Sequence, residues 1–394
     1  MMWRSAPVVP GLVALLTAGP VLAQGPSRPP SIPELERAAR TDSLDGDALY
    51  RLALAYDPAK RYDDAEREAR QAVAVDPREA QAWLLLAYLP YDRRPKLWKE
   101  VRKDRVPRDW RAAVDEAARF EHRAFVIDPL VDFRVQGAPQ PPEDMVTVPD
   151  YGQETTDYLL LLGLGAFGWR YLLSYSALDL FVQRQFKDKP VDSIPSGLFW
   201  WRGLAAVHLG AFGKATADIR VLLDRSIKQE AKDSLIQIDL GTNDYRYLLA
   251  VLFDRAGRPA DAQAMYQEAL ANDLGLYMAH ARLARFYARF KQWDDAIEEA
   301  RRGVTANPDD PTGLVDLGEI ERDAGRLAEA EATLRQAAAS NPRNARIPYE
   351  LGLVEQQLGH VAEAKAMLTR FLAIAPSRLG TAIADAKQRL ADLP

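Results

Sequence analysis

No cysteine occurs in the 394 residues, which removes disulfides, thiolate metal sites and cysteine nucleophiles together. Histidine is nearly as scarce: His122, His208, His280 and His360 stand far apart, and no two have the spacing of metal ligands on one helix. A G-x-S-x-G elbow, a phosphate loop and other nucleophile signatures are also missing, so the chain reads as non-catalytic, with no metal and no cofactor. Charge of one sign is not in excess. A formal net charge of -5 and an isoelectric point near 5.6 give no general attraction to nucleic acid. Long apolar runs are lacking too. The nearest approach, Tyr158 to Phe181, is interrupted by Arg170 and Asp179, so it reads as buried helices rather than a membrane span.

What is present is enough apolar material to fold, 48% hydrophobic against 27% charged residues. The chain is long for one compact domain, yet no shift in composition divides it. An extended array resolves that tension. At the start, Arg4, the apolar stretch Val8 to Leu16 and Val21-Leu22-Ala23 predict a signal peptide over 1–23 cut after Ala23. Pro10, Gly11, Gly19 and Pro20 break the stretch, whereas a membrane anchor needs roughly 18 to 20 unbroken apolar residues. The product is expected to be periplasmic or secreted, with a Pro-rich spacer at 24–33.

The last third of the sequence repeats. Ala262, Ala296, Ala330 and Ala364 lie 34 residues apart, and so do Leu249, Leu283, Leu317 and Leu351. Each of those leucines is followed by a small residue: Ala250, Ala284, Gly318 and Gly352. Pro308, Pro342 and Pro376 keep the same period, with Leu274 as the exception in the first unit. Within Pro311 to Asn344, Leu314, Leu317 and Gly318 share a helical face, Gly325 interrupts, and Leu327, Ala330, Leu334 and Ala337 line a second helix. The residue before a proline is pushed from the α region, so Asn341-Pro342 ends the unit. One unit cannot bury its apolar stripe alone and needs neighbours.

A 34-residue helix-turn-helix with this Leu-small, Gly, Ala, Ala, Pro order resembles the tetratricopeptide repeat, Tyr266 and Tyr287 standing where that family often has aromatics. The resemblance implies an all-α fold, a right-handed α-α superhelical solenoid of about eight units. Four regular units span 243–378 and a capping helix spans 379–394. Looser units fall in 34–135, interrupted by a basic insertion at 92–111; a Pro-rich connection spans 136–157 and divergent, aromatic-rich units span 158–242.

In that family the first helix of each unit lines a concave groove for protein partners or peptides. Carried to this sequence, the groove includes Tyr247, Val251, Arg255, Arg285, Arg289, Arg322, Tyr349, Leu353 and Gln356. Arginine and tyrosine anchor interfaces well, and a line of arginines suits an acidic segment or C-terminal carboxylate. The lysine and asparagine clamp of the family's chaperone-binding members is replaced by Tyr247 and Val251, or by Tyr50 and Leu54. The functional expectation is an exported, non-catalytic scaffold or adaptor for protein partners, without nucleic acid, and compatible with peripheral contact to the envelope.

Three other segments have a composition that could carry chemistry. Gly163-Leu164-Gly165-Ala166-Phe167-Gly168 matches a dinucleotide fingerprint but lacks the flanking strands that make one work. The aromatics Trp169, Tyr171, Tyr175, Phe199, Trp200 and Trp201 are either core or a lipid- or glycan-binding surface, the alternative to a protein scaffold. The insertion carries nine Lys or Arg against four Asp or Glu, with Trp98 and Trp110 between them; it reads as a solvated loop, or as a contact for anionic lipid or polysaccharide.

Overall fold

A computed structural model of the chain describes residues 30–102, 105–131, 171–230 and 241–394. The expected signal peptide, the connection at 136–157 and the glycine-rich 163–168 lie outside the described residues. The rest is all-α, with no strand among the described residues. The helices are α1 (Ile32–Thr41), α2 (Gly46–Tyr56), α3 (Tyr62–Val75), α4 (Ala80–Arg93), α5 (Leu97–Arg102) and α6 (Arg111–Ile127). Next come α7 (Tyr171–Gln185), α8 (Ser196–His208), α9 (Phe212–Glu230), α10 (Thr242–Arg255), α11 (Pro259–Asn272) and α12 (Tyr277–Arg289). The last are α13 (Trp293–Ala306), α14 (Pro311–Asp323), α15 (Leu327–Ser340), α16 (Arg346–Leu358), α17 (Val361–Ile374) and α18 (Gly380–Asp392).

Successive helices pack as hairpins: α2 with α3, α4 with α6 across the insertion, α8 with α9, and then each pair from α10/α11 to α16/α17. The small residue after each repeated leucine makes this possible. A Cβ added at Gly318 would lie 2.6 Å from Leu334 Cγ, and one at Gly352 2.7 Å from Leu368 Cδ2. Gly318→Ala is therefore expected to cost about 1–3 kcal/mol, the usual penalty of overpacking. A shift of the urea midpoint measures it, and an unchanged midpoint would show that Leu334 yields freely.

Between the two helices of a regular unit the chain turns through left-handed backbone at Gly257, Gly325 and Gly359, a conformation glycine adopts without steric cost. Lys291 occupies the same register with φ 58° and carries that cost. At the end, α18 lays Ala386 into a core with Leu368 and Phe371 of α17, closing the open apolar face of the last unit.

The largest core does not stay within neighbouring units. Leu84 of α4 and Ala124, Val126 and Ile127 of α6 join Leu130, Val131 and the α10–α12 residues Tyr247, Leu248, Leu252, Tyr277 and Met278 in one buried cluster. Of the N-terminal helices α1–α6, here called the arm, α4 and α6 thus pack against the regular units. The array closes on itself.

Candidate functional site

The groove is built from the first helices of the regular units, α10, α12, α14 and α16, and three sets of side chains tie the arm into it. The first comes from the turn between α3 and α4. Asp76 folds that turn over itself, its carboxylate accepting from the Arg78 backbone N–H at 3.1 Å and its carbonyl from Glu79 at 3.0 Å. Arg78 is left pointing away from the arm.

The Arg78 guanidinium enters between α12 and α14. Its Nε donates to Asp310 Oδ2 at 2.9 Å and its Nη1 to Asp316. Asp310 is the N-cap of α14, its other oxygen accepting from Thr312 N at 3.0 Å. Asp316 also accepts from Arg285 Nη2 at 3.1 Å and from both terminal nitrogens of Arg346 at 3.3 Å. Burial alone would raise the Asp316 carboxyl, but Arg78, then Arg285 and Arg346, overcome it and hold it well below the usual carboxylate range. Burial likewise opposes the Arg78 charge, and Asp316 and Asp310 more than restore it. Arg78 keeps only 12% of its side chain exposed, and the void beside it is about 10 Å³, room for no more than one water.

A second set joins the ends of the array. In the turn after α17, Ser377 N donates to Asp42 Oδ2 at 2.8 Å, and Arg378 meets Asp45 at 2.8 Å and Asp76 at 3.5 Å. Asp45 caps α2 just as Asp310 caps α14. Both arginines therefore land on N-cap carboxylates. Beside this contact an open cleft of about 700 Å³ separates α1 and α2 from the end of α17, so the arm is less tightly seated here than at Arg78.

Glu79 lies among the carboxylates of this seam. Burial, then Asp76 and Asp47, push its carboxyl up to about 7 against the pull of Arg378. Its ordinary value is 4.5, so between the two the folded chain keeps a proton that the unfolded chain has lost. Stability then falls as pH rises through that window and levels off above it. Glu79→Gln mimics the protonated form. The urea midpoint of that variant should exceed the native one by a margin that grows from about pH 5 to about pH 7.5; a constant margin would show that Glu79 titrates normally.

The third set receives the end of α6. Tyr247 Oη donates to Val126 O at 2.6 Å, and Arg282 Nη2 to Ile127 O at 3.0 Å. These carbonyls belong to the last turn of α6, where no intrahelical donor remains and a cation is favoured.

Against this geometry the residues expected to line an open groove divide. Tyr247 is 0% exposed and Val251 and Leu353 are buried, so these three do not face a partner; the end of α6 covers Tyr247. Arg322 is 11% exposed and ion-paired with Glu350 and Asp323, a structural link between α14 and α16. Tyr349 donates to Asp385 at 2.8 Å and Gln356 accepts from Arg389 at 2.8 Å, both occupied by α18. Arg255 is exposed. Arg285 and Arg289 keep 55% and 60% of their side chains exposed. Arg78, Asp316, Arg378 and Arg282 belong to no motif or repeat position that marks them in the sequence. Asp310 before Pro311 is a legible helix cap, but nothing in the sequence marks the arginine that meets it.

Elsewhere, Phe199 is buried and Trp200 packs half-buried against the central core, so this part of the aromatic cluster is structural. Within the insertion, Leu97 is buried and Arg94 reaches both Glu100, at 2.7 Å, and the face of Trp110. Among the described residues no group of three or more His, Asp or Glu is arranged to hold a metal, and no helix is long and apolar enough to cross a membrane.

The family model of the tetratricopeptide repeat matches residues 59–94, 247–311 and 315–378. No curated protein matches the sequence. Among solved structures, the chain is similar to MamA 41-end from Desulfovibrio magneticus RS-1, at 16% identity over 45% of this chain and 94% of that one, with a TM-score of 0.39. A second MamA crystal structure aligns at 17% identity over 44% of this chain and 93% of that one, TM-score 0.38.

Proposed function

Because this chain is a tetratricopeptide-repeat protein, we propose that it is an exported, non-catalytic scaffold that holds protein partners on the face of its regular units. The observation that supports a partner surface is on α12. Arg285 and Arg289, one turn apart, are more than half exposed. Just past the helix end, Phe290 is 54% exposed, its ring 4.9 Å from that of Phe286. Exposed arginine beside exposed aromatic surface is the composition of interface anchors, and it suits an acidic or aromatic partner segment. Export is supported by the apolar, cysteine-free start of the sequence ending at Ala23.

The test is a crosslinking pull-down from the periplasmic fraction with the native chain and with Arg285→Ala/Arg289→Ala. Arg322 is left intact because removing it would strand the buried Glu350. Loss of specific protein partners in the double variant supports the scaffold and its surface. Recovery of the same partners by both forms moves the surface elsewhere, and co-purifying lipid or glycan without protein rejects the scaffold.

A further inference from the structure

The way Arg78 is held resembles the grip on a ligand more than a link between neighbouring repeats. Its two carboxylate partners lie 232 and 238 residues further along the chain. It reaches them from a turn, not from a helix face packed in register. The seat itself does not depend on it. Asp310 is fixed by its bond to Thr312 N, and Asp316 by Arg285 and Arg346 from the flanking helices. Each carboxylate thus has a partner other than Arg78 holding it at the slot.

The slot is shaped for a planar cation. Gly303 and Gly313 line it, and a Cβ at either would approach Tyr277 O to 3.2 Å or Val304 Cγ2 to 3.3 Å. Two carboxylates at the mouth of a narrow slot recognise the fork of a guanidinium better than the point charge of an ammonium.

We propose that the seat built by Asp310 and Asp316 is where this scaffold grips an arginine of a protein partner, with Arg78 as the resident occupant supplied by the chain itself. The proposal rests on the scaffold reading above and narrows it to a partner segment in which an arginine stands clear in a turn. The partner competes with an occupant of high effective concentration, so its apparent affinity is reduced by the fraction of time the seat is filled. Arginine, not acidic residues, is then what the filled part of the groove selects.

The experiment uses the full chain and a fluorescein-labelled peptide copying residues 74–83, read by fluorescence anisotropy at low salt. Clearing the seat with Arg78→Ala should strengthen peptide binding at least about tenfold over the native chain. Adding Asp310→Asn, which still caps α14, should lose most of that gain, and a peptide with alanine at the position of Arg78 should not bind. Arg78→Lys, whose ammonium reaches only one of the two carboxylates, should bind the peptide at a level between the native and alanine chains, and it guards against misfolding of the alanine variant, whose helicity is checked by circular dichroism.

Equal binding by native and Arg78→Ala chains, or binding indifferent to the peptide's arginine, overturns the proposal. The two readings fail separately: partner capture that persists while the peptide does not bind discards the seat alone. A peptide that binds while no partner is ever captured discards the scaffold.

Discussion

Replacing Arg78 by alanine should lower the unfolding free energy by about 3 kcal/mol, the lower end of the 3–5 kcal/mol seen when one member of a buried ion pair is removed. Asp310 and Asp316 are both buried, and among the described residues Arg78 supplies Asp310's only ion pair. Asp316 keeps Arg285 and Arg346, which is why the upper end is not expected. Arg78→Lys should recover about half the loss, because an ammonium reaches one carboxylate but cannot fork between two. Urea denaturation of the three chains measures this. A loss below about 1 kcal/mol for alanine would place the pair with exposed ion pairs and would mean that the arm is held by its apolar contacts alone.

The second large effect falls on Tyr247. Tyr247→Ala should cost about 3–5 kcal/mol, as for other fully buried aromatics, whereas Tyr247→Phe should cost about 1 kcal/mol for the hydrogen bond to Val126 O. The ring packs against Phe125, at 6.0 Å between centroids, and Tyr266, at 6.2 Å. Both variants should leave capture of a partner through Arg285 and Arg289 unaltered at temperatures where they are folded. A small cost for alanine, with loss of partner capture, would instead return Tyr247 to the open surface that the family resemblance implied.

The helical architecture was open to reading because each of its causes is local in sequence. The 34-residue spacing of Leu317-Gly318 and Leu351-Gly352 records a helix-helix approach too tight for a Cβ, and Gly325 and Gly359 record left-handed turns. The site was not legible for the opposite reason. Periodicity finds the face of α10 that carries Tyr247, but it cannot tell whether a partner or the chain's own α6 covers it. Arg322 reads as an anchor and is a strut, since its carboxylate, Glu350, lies in the next repeat, 28 residues on. Arg78 carries no local signal, because its meaning depends on residues more than two hundred positions distant.

Contacts of that range change how such an array comes apart. An open solenoid behaves as a line of neighbours: terminal repeats fray first, and each repeat adds its own increment. Here Ser377 and Arg378 meet Asp42 and Asp45, and Arg78 meets Asp310, so neither end is free to fray without breaking the other. The arm leaves the ribosome first, yet the seat it fills is synthesised more than two hundred residues later. High contact order of this kind slows the last step of folding and leaves apolar surface of α4 and α6 waiting uncovered. For a chain that crosses a membrane before folding that delay is harmless; for the same chain retained where it is made, the uncovered surface is an invitation to aggregate.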